Sequence, residues 1–212
     1  MGNAGTTPSY LFNHAFPLTS AESPFSVKPV KKIFERYGLE LAAVERVDTK
    51  GGSLRYYVQR PGGPVPHDGS VAALLHEEDL MGLYEKETYD EYSDKINALR
   101  DQLVAFLKRA KDEGKTIAGF GASITCTTLI YHFGIGGYLD YLVDDNPAKQ
   151  GLYSPGHHIP VYPSRAIYER KPDIVLLLAW RFGDRFIEKN RAYLACGGCF
   201  IRPVPYFDVV GS

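Results

Sequence analysis

Small and hydroxyl-bearing residues gather in the segment GFGASIT, between an apolar run and a helical pattern. At a strand-to-helix turn, Gly119, Gly121 and Ala122 let a ligand approach the backbone, while free N–H groups and the helix dipole favour a phosphate. Ser123 and Thr125 add hydroxyl donors. The usual dinucleotide fingerprint wants a third small residue, which Ile124 and Thr125 do not clearly supply, so the motif draws its strength from context. That context is an acidic pair, Asp144 and Asp145, ending the next apolar run and followed by Asn146, Pro147, Ala148 and Lys149. A carboxylate about twenty residues beyond the glycine turn commonly accepts ribose hydroxyls in such folds. The plainer alternative is an aspartate that caps the turn before Pro147.

Two later loops carry further candidates. GLYSPGHHIPV contributes His157 and His158, and LAWRFGDR contributes Trp180, Arg181 and Asp184. Residues that follow the carboxyl ends of parallel strands line the ligand crevice, which puts Trp180 and Arg181 on the same rim as GFGAS. There Trp180 can stack on a base and Arg181 can pair with phosphate; otherwise Trp180 is core and Arg181 is surface. His158 joins the binding candidates, but adjacent histidines without a third ligand do not make a metal site. His14, in LFNHAF, is the candidate proton carrier, set against the commoner role of a histidine buried among aromatics. Cys196 and Cys199 read as CGGC, formally a redox or zinc half-motif, yet they enter the apolar run CFIRPVPYF as a turn would. No nucleophile elbow, P-loop, zinc quartet or HExxH occurs.

The elements that must position these residues alternate as an α/β domain should. TIAGF, YLDYLVDD, IPVYP, DIVLLLAW and CFIRPVPYF read as strands; ASITCTTLIYHFG, SRAIYER and GDRFIEKNRAYLACG read as helices. Such alternation predicts a Rossmann-like parallel sheet flanked by helices, and IVLLLA, apolar on both faces, belongs in its middle. Before it, residues 26–37 read as a helix, and LELAAVERVD and SLRYYVQR as a hairpin joined around KGG. After the Pro/Gly stretch PGGPVPHDG, residues 70–113 carry apolar positions at helical spacing, as in Ile96, Leu99, Leu103, Phe106 and Leu107, so one long helix or two in succession is expected. The expected partition is 1–62 (loop, helix and hairpin), 63–114 (helical connector) and 115–212 (Rossmann-like domain).

A chain of 212 residues with a 44% hydrophobic and 23% charged composition can bury a sizeable core. Its formal net charge of −1 lacks the clustered basic excess that nucleic acid or anionic lipid requires. No apolar run reaches the roughly 18 residues of a membrane helix, and the first residues lack the basic and apolar regions of a signal peptide. With three cysteines, the expectation is a cytoplasmic protein with a small-molecule partner, no nucleic acid and no membrane.

The order FNHAF, a helix, KGGSLRYYV, a long helix, GFGAS, DDNPAKQG, PGHHIPV and LLLAW resembles the C-terminal portion of the sugar C-methyltransferase family, whose members use S-adenosylmethionine to methylate keto-deoxysugars attached to a nucleotide. The resemblance covers nearly the whole chain and is specific from Lys50 onward. It implies a division of labour: the C-terminal Rossmann-like domain helps bind the nucleotide-linked sugar, while a preceding domain holds the methyl donor. The S-adenosylmethionine site is therefore expected outside this chain, with a donor-binding domain on another chain as a partner and turnover absent without it. Residues 1–62 correspond to the end of a methyltransferase domain. His14 falls at the family's acid–histidine pair and would draw the proton alpha to the keto group. The sequence departs from the family pattern at Leu11, Asn13, Lys50, Thr125, Arg181 and Arg185. Two competing readings are a stand-alone nucleotide or NAD module and a structural assembly domain that pairs as a homodimer.

Overall fold

The computed structural model describes residues 26–47 and 53–211. His14, Leu11, Asn13 and the turn at 48–52 lie outside the described residues. The chain divides between Asp94 and Lys95 into two compact units.

In the first unit, α1 (Val27–Arg36) leads into the antiparallel strands β1 (Glu40–Val47) and β2 (Ser53–Gln59) and then α2 (Ser70–Leu80). Helix α1 ends because Gly38 adopts a φ of 70°, open to a residue without Cβ. An irregularity in pairing between Leu41 and Ala43 breaks the strand alternation, and residues 41–44 are all buried. Val27, Leu41, Val44 and Leu74 form a small core on which Leu54, Tyr56 and Val58 pack. Its polar anchor is Glu78, only 5% exposed. Ser26 makes no side-chain cap. Instead Glu78 accepts the N–H of Val27 at 2.6 Å and of Lys28 at 3.2 Å, and the Tyr84 hydroxyl donates to it. A carboxylate at this end satisfies two otherwise unpaired donors and meets the positive pole of the helix dipole. Burial, reinforced by this carboxylate, pushes the Tyr84 phenol well above its ordinary pKa.

The expected helical stretch resolves into two helices. Gly82, with a φ of 61°, turns the chain between α2 and the 27-residue α3 (Lys86–Asp112). The C-terminal part of α3 buries Leu103, Leu107 and Ala110 along one stripe.

The second unit contains β3 (Ile117–Phe120), α4 (Ile124–Phe133), β4 (Tyr141–Val143), β5 (Val161–Tyr162), α5 (Ala166–Arg170), β6 (Ile174–Leu177), α6 (Gly183–Lys189), α7 (Arg191–Ala195), β7 (Cys199–Arg202) and β8 (Asp208–Val210). The strand order is β5-β4-β3-β6-β7-β8, parallel throughout except for β8, which runs antiparallel to β7. The expected parallel sheet is thus observed, with one antiparallel edge strand added. One face is filled by Ala118, Phe120, Val143, Val175, Leu177 and Phe200 together with Ile167, Phe186 and Tyr193 from the helices; the Phe120 and Phe186 rings stack at 3.6 Å. The single helix expected over 183–197 is broken at Asn190. This buried side chain donates to Phe186 O at 2.8 Å and accepts from the Tyr168 hydroxyl at 3.1 Å.

Removing the Glu78 carboxylate strands two backbone donors in a buried site, a loss of about 2 kcal/mol. Urea unfolding of Glu78→Ala is expected to show that loss. Stability within about 0.5 kcal/mol of the wild type, the range of an ordinary surface change, would contradict the capping role.

Candidate nucleotide-binding site

The chain leaves β3 toward β4 and β5 on one side of the sheet, then returns to β6 and β7 on the other. This reversal opens a crevice at the carboxyl ends of β3 and β6, the position where open parallel sheets bind ligands. The turn after β3 forms one wall. Gly121 has a φ of 105°, and a Cβ there would sit 2.8 Å from both Ala179 Cβ and Cys126 Sγ, so glycine is required twice over. Gly119 lies within β3, where an added Cβ would meet Leu142 and Leu178 side chains at 2.6 and 2.7 Å. Its smallness serves sheet packing. Ser123 is the N-cap of α4: its Oγ accepts the Cys126 N–H at 3.3 Å and lies 2.8 Å from Thr125 Oγ1.

Asp144 ties this turn to the loop after β4. One carboxylate oxygen accepts the Ala122 N–H at 2.8 Å and the Lys149 ammonium at 3.0 Å, and the other accepts the Asn146 N–H at 2.9 Å. Asn146 in turn accepts the Ala148 N–H at 3.0 Å. Burial raises the Asp144 pKa, but the backbone donors Asn146 and Ala122 and then Lys149 outweigh it, leaving the carboxyl below its ordinary value. Asp145 is exposed and pairs with Lys189 on α6 at 3.2 Å.

On the opposite rim, residues 180–182 form a 3-10 turn in which the Arg181 guanidinium lies 5.2 Å from the Trp180 ring. Trp180 is half-buried; Arg181 and Arg185 are exposed. Arg202, with a side chain only 12% exposed, pairs with Asp184 and lies 2.5 Å from the Tyr206 hydroxyl, pinning the start of α6. His157 packs against Gly136 and approaches the Tyr131 ring at 4.7 Å, and His158 adopts a φ of 52°. Both histidines are exposed, and among the described residues no three His, Cys, Asp or Glu side chains gather as metal ligands. Cys196 caps α7 and Cys199 opens β7, with Gly197 and Gly198 as the turn between them; both are free thiols.

The structure therefore brings Ala122, Ser123, Thr125, Asp144, Asn146 and Lys149 into one wall of the crevice and sets Trp180 and Arg181 on the other. It also adds residues that motif reading missed. A cleft of about 180 Å³ opens beside α4, lined by Cys126, Thr127, Ile130 and Leu142 together with the 149–155 loop. In the sequence Thr127 and Ile130 are simply members of the helix ASITCTTLIYHFG, and only the return of that loop makes them a wall.

A parallel open sheet with a glycine turn, a carboxylate bridge and a reversal of strand order defines a Rossmann-like domain. The chain belongs to the C-methyltransferase C-terminal domain family, whose profile matches residues 48–205. It is 32% identical over 191 residues to the C-methyltransferase NovU of Streptomyces niveus, a match covering 90% of this chain and 46% of that protein. The chain thus spans about half the length of the relative it matches. No described helix is long and apolar enough to cross a membrane.

The lowered pKa of Asp144 sets a sign for its pH dependence. Its stabilisation is complete above the ordinary carboxylate pKa of about 3.9 and is lost as pH falls through the lower folded value. Thermal melts should therefore show Asp144→Asn well below wild type at pH 6, with the gap closing below about pH 4. A gap that stays constant down to pH 3 would contradict the bridge.

Proposed function

We propose that this chain is the nucleotide-sugar-binding part of an S-adenosylmethionine-dependent C-methyltransferase acting on a keto-deoxysugar, and that methyl transfer needs a donor-binding domain beyond this segment. The observation that carries the reading is the Asp144 bridge, which holds Ala122 and Lys149 together at the crevice. Lys149 gives the rim a cation, the α4 turn gives it backbone donors, and both suit a diphosphate. Ser123 and Thr125 add hydroxyls next to them, while Trp180 and Arg181 offer a stacking face and a second cation across the crevice. His158, Asp145 and Asn146 lie on the surrounding loops as secondary contacts.

The same geometry is poorly matched to S-adenosylmethionine or NAD. Adenosine cofactors use the carboxylate after the second strand for ribose hydroxyls. Here Asp144 already accepts three protein donors, out of about four lone-pair sites on a carboxylate. A sulfonium would also face the Lys149 ammonium. The methyl donor supplies an electrophilic methyl group where it binds; this chain's residues hold and orient the acceptor. In this reading residues 1–62 belong to the end of the donor-binding domain and His14 is the base.

A thermal-shift screen of the purified chain tests the reading. A ligand at a hundred times its Kd stabilises by about 2.7 kcal/mol, a rise of roughly 5–10 °C for a chain of this size. That rise is expected with nucleoside diphosphates and their sugars, with little response to S-adenosylmethionine or NAD. No methyl transfer is expected from the chain alone. A response confined to S-adenosylmethionine or NAD, or robust methylation by the isolated chain, would overturn it.

A further inference from the structure

We propose that the cleft beside α4 is the seat of the ligand's planar heterocycle. A nucleotide-sugar then lies with its base under the 149–155 loop, its phosphates at Lys149 and the first amides of α4, and its sugar directed toward Trp180 and Arg181. This orientation rests on the nucleotide-sugar reading above and adds to it a polarity that the crevice alone does not set.

Size comes first. The cleft holds about 180 Å³. That is slightly more than the roughly 150 Å³ cavity that takes up a benzene ring, and well short of the roughly 300 Å³ at which pockets for whole drug-sized ligands begin. One ring system fits, and the rest of a nucleotide-sugar must lie outside.

Chemistry then chooses the ring. Ala122, Ile130, Leu142, Leu152, Pro155 and Val161 give the cleft apolar walls. A keto-deoxysugar still carries a carbonyl, a ring oxygen and its remaining hydroxyls around a non-planar ring, and each such group buried without a partner costs free energy. A heterocycle presents two apolar faces and needs hydrogen bonds only along its edge. Edge partners are present in small number. Ser154 Oγ accepts the Ile159 N–H at 3.0 Å and keeps its proton to donate; Thr127 Oγ1 donates to Ser123 O at 3.2 Å and keeps its lone pairs to accept. Leu152 and Tyr153 line the same cleft yet are 57% and 65% exposed, so an entering ring covers apolar surface that now faces water.

Lys149 sets the direction of the remainder. It lines the cleft and is held on Asp144, so an anion tethered to the ring meets its ammonium beside the N-terminal amides of α4. The sugar, at the far end of the diphosphate, then extends across the crevice.

The test uses the full chain with labelled methyl groups. Thymidine and uridine diphosphates, the two nucleosides, and inorganic pyrophosphate are titrated separately while methyl NMR follows Ile130, Leu142, Leu152 and Val161. The nucleosides and diphosphates are expected to shift these methyls, and pyrophosphate is not. Thr127→Phe, which places a ring in the cleft, should weaken diphosphate binding at least about ten-fold while leaving pyrophosphate binding unchanged. Diphosphates that bind without moving these methyls, or that bind Thr127→Phe as tightly as wild type, would overturn the base-in-cleft orientation and leave the nucleotide-sugar reading standing. No binding of any nucleotide or nucleotide-sugar would overturn both. Should Thr127→Phe fail to fold, the wild-type methyl titration decides the matter.

Discussion

One half-buried carboxylate joins the two segments from which the crevice is built. Asp144 ends β4 and reaches back to the Ala122 N–H at the start of the α4 turn, while its loop partners Asn146 and Lys149 close on it from the other side. Lacking that bridge, the GFGAS turn and the DDNPAK loop would be two separate surface loops on neighbouring strands. With it they form a single wall that carries a cation and backbone donors. Desolvation works against the charged form of such a group, so the bridge persists because every oxygen finds donors. Gly121 supplies the backbone turn that precedes the Ala122 N–H, and Gly119 leaves room for the Leu142 and Leu178 side chains above the sheet.

The proposed function follows from what this bridge leaves open. The carboxylate is largely spent on the protein itself, and in the proposed reading the wall receives phosphate rather than ribose hydroxyls. The loop after β4 then serves twice, because Lys149 faces the crevice and residues 152–155 roof the cleft beside α4. Across the crevice, Arg202 holds Asp184 and so fixes the segment that presents Trp180 and Arg181. The chain belongs to the C-methyltransferase C-terminal domain family, and the proposal gives that domain the acceptor-binding role. Glu78 plays the corresponding structural part in the first unit, where one carboxylate caps α1 from α2.

Much of the fold was legible because burial on both faces leaves a mark in composition. IAGF and IVLL are buried at every position, and the runs that contain them read as central strands. The alternation of strands and helices carried the topology, and the order of motifs carried the family. Strand β8 escaped because three residues after a proline-rich turn have no pattern of their own; pairing of Phe200 with Val210 and of Arg202 with Asp208 creates it. The break at Asn190 escaped for a similar reason, since one partner of that buried side chain, the Tyr168 hydroxyl, lies 22 residues away. At the site, residue types are readable in the sequence and their partners are not. Gly119 lies between the Leu142 and Leu178 side chains; for Asp144 the sequence offers a ribose contact or a cap of the turn before Pro147, and its bond to the Asn146 N–H is that cap, while its bonds to Ala122 and Lys149 have no local signal.

The central claim is that the wall held by Asp144 receives the phosphates of a nucleotide. The most direct measurement follows the backbone amides of the full chain by NMR during titration with a nucleoside diphosphate. The account predicts saturable shifts at Ala122, Ser123, Thr125 and Lys149, which weaken in Asp144→Ala. Saturable binding that leaves those four amides unmoved, or that is indifferent to the loss of the Asp144 carboxylate, would contradict it.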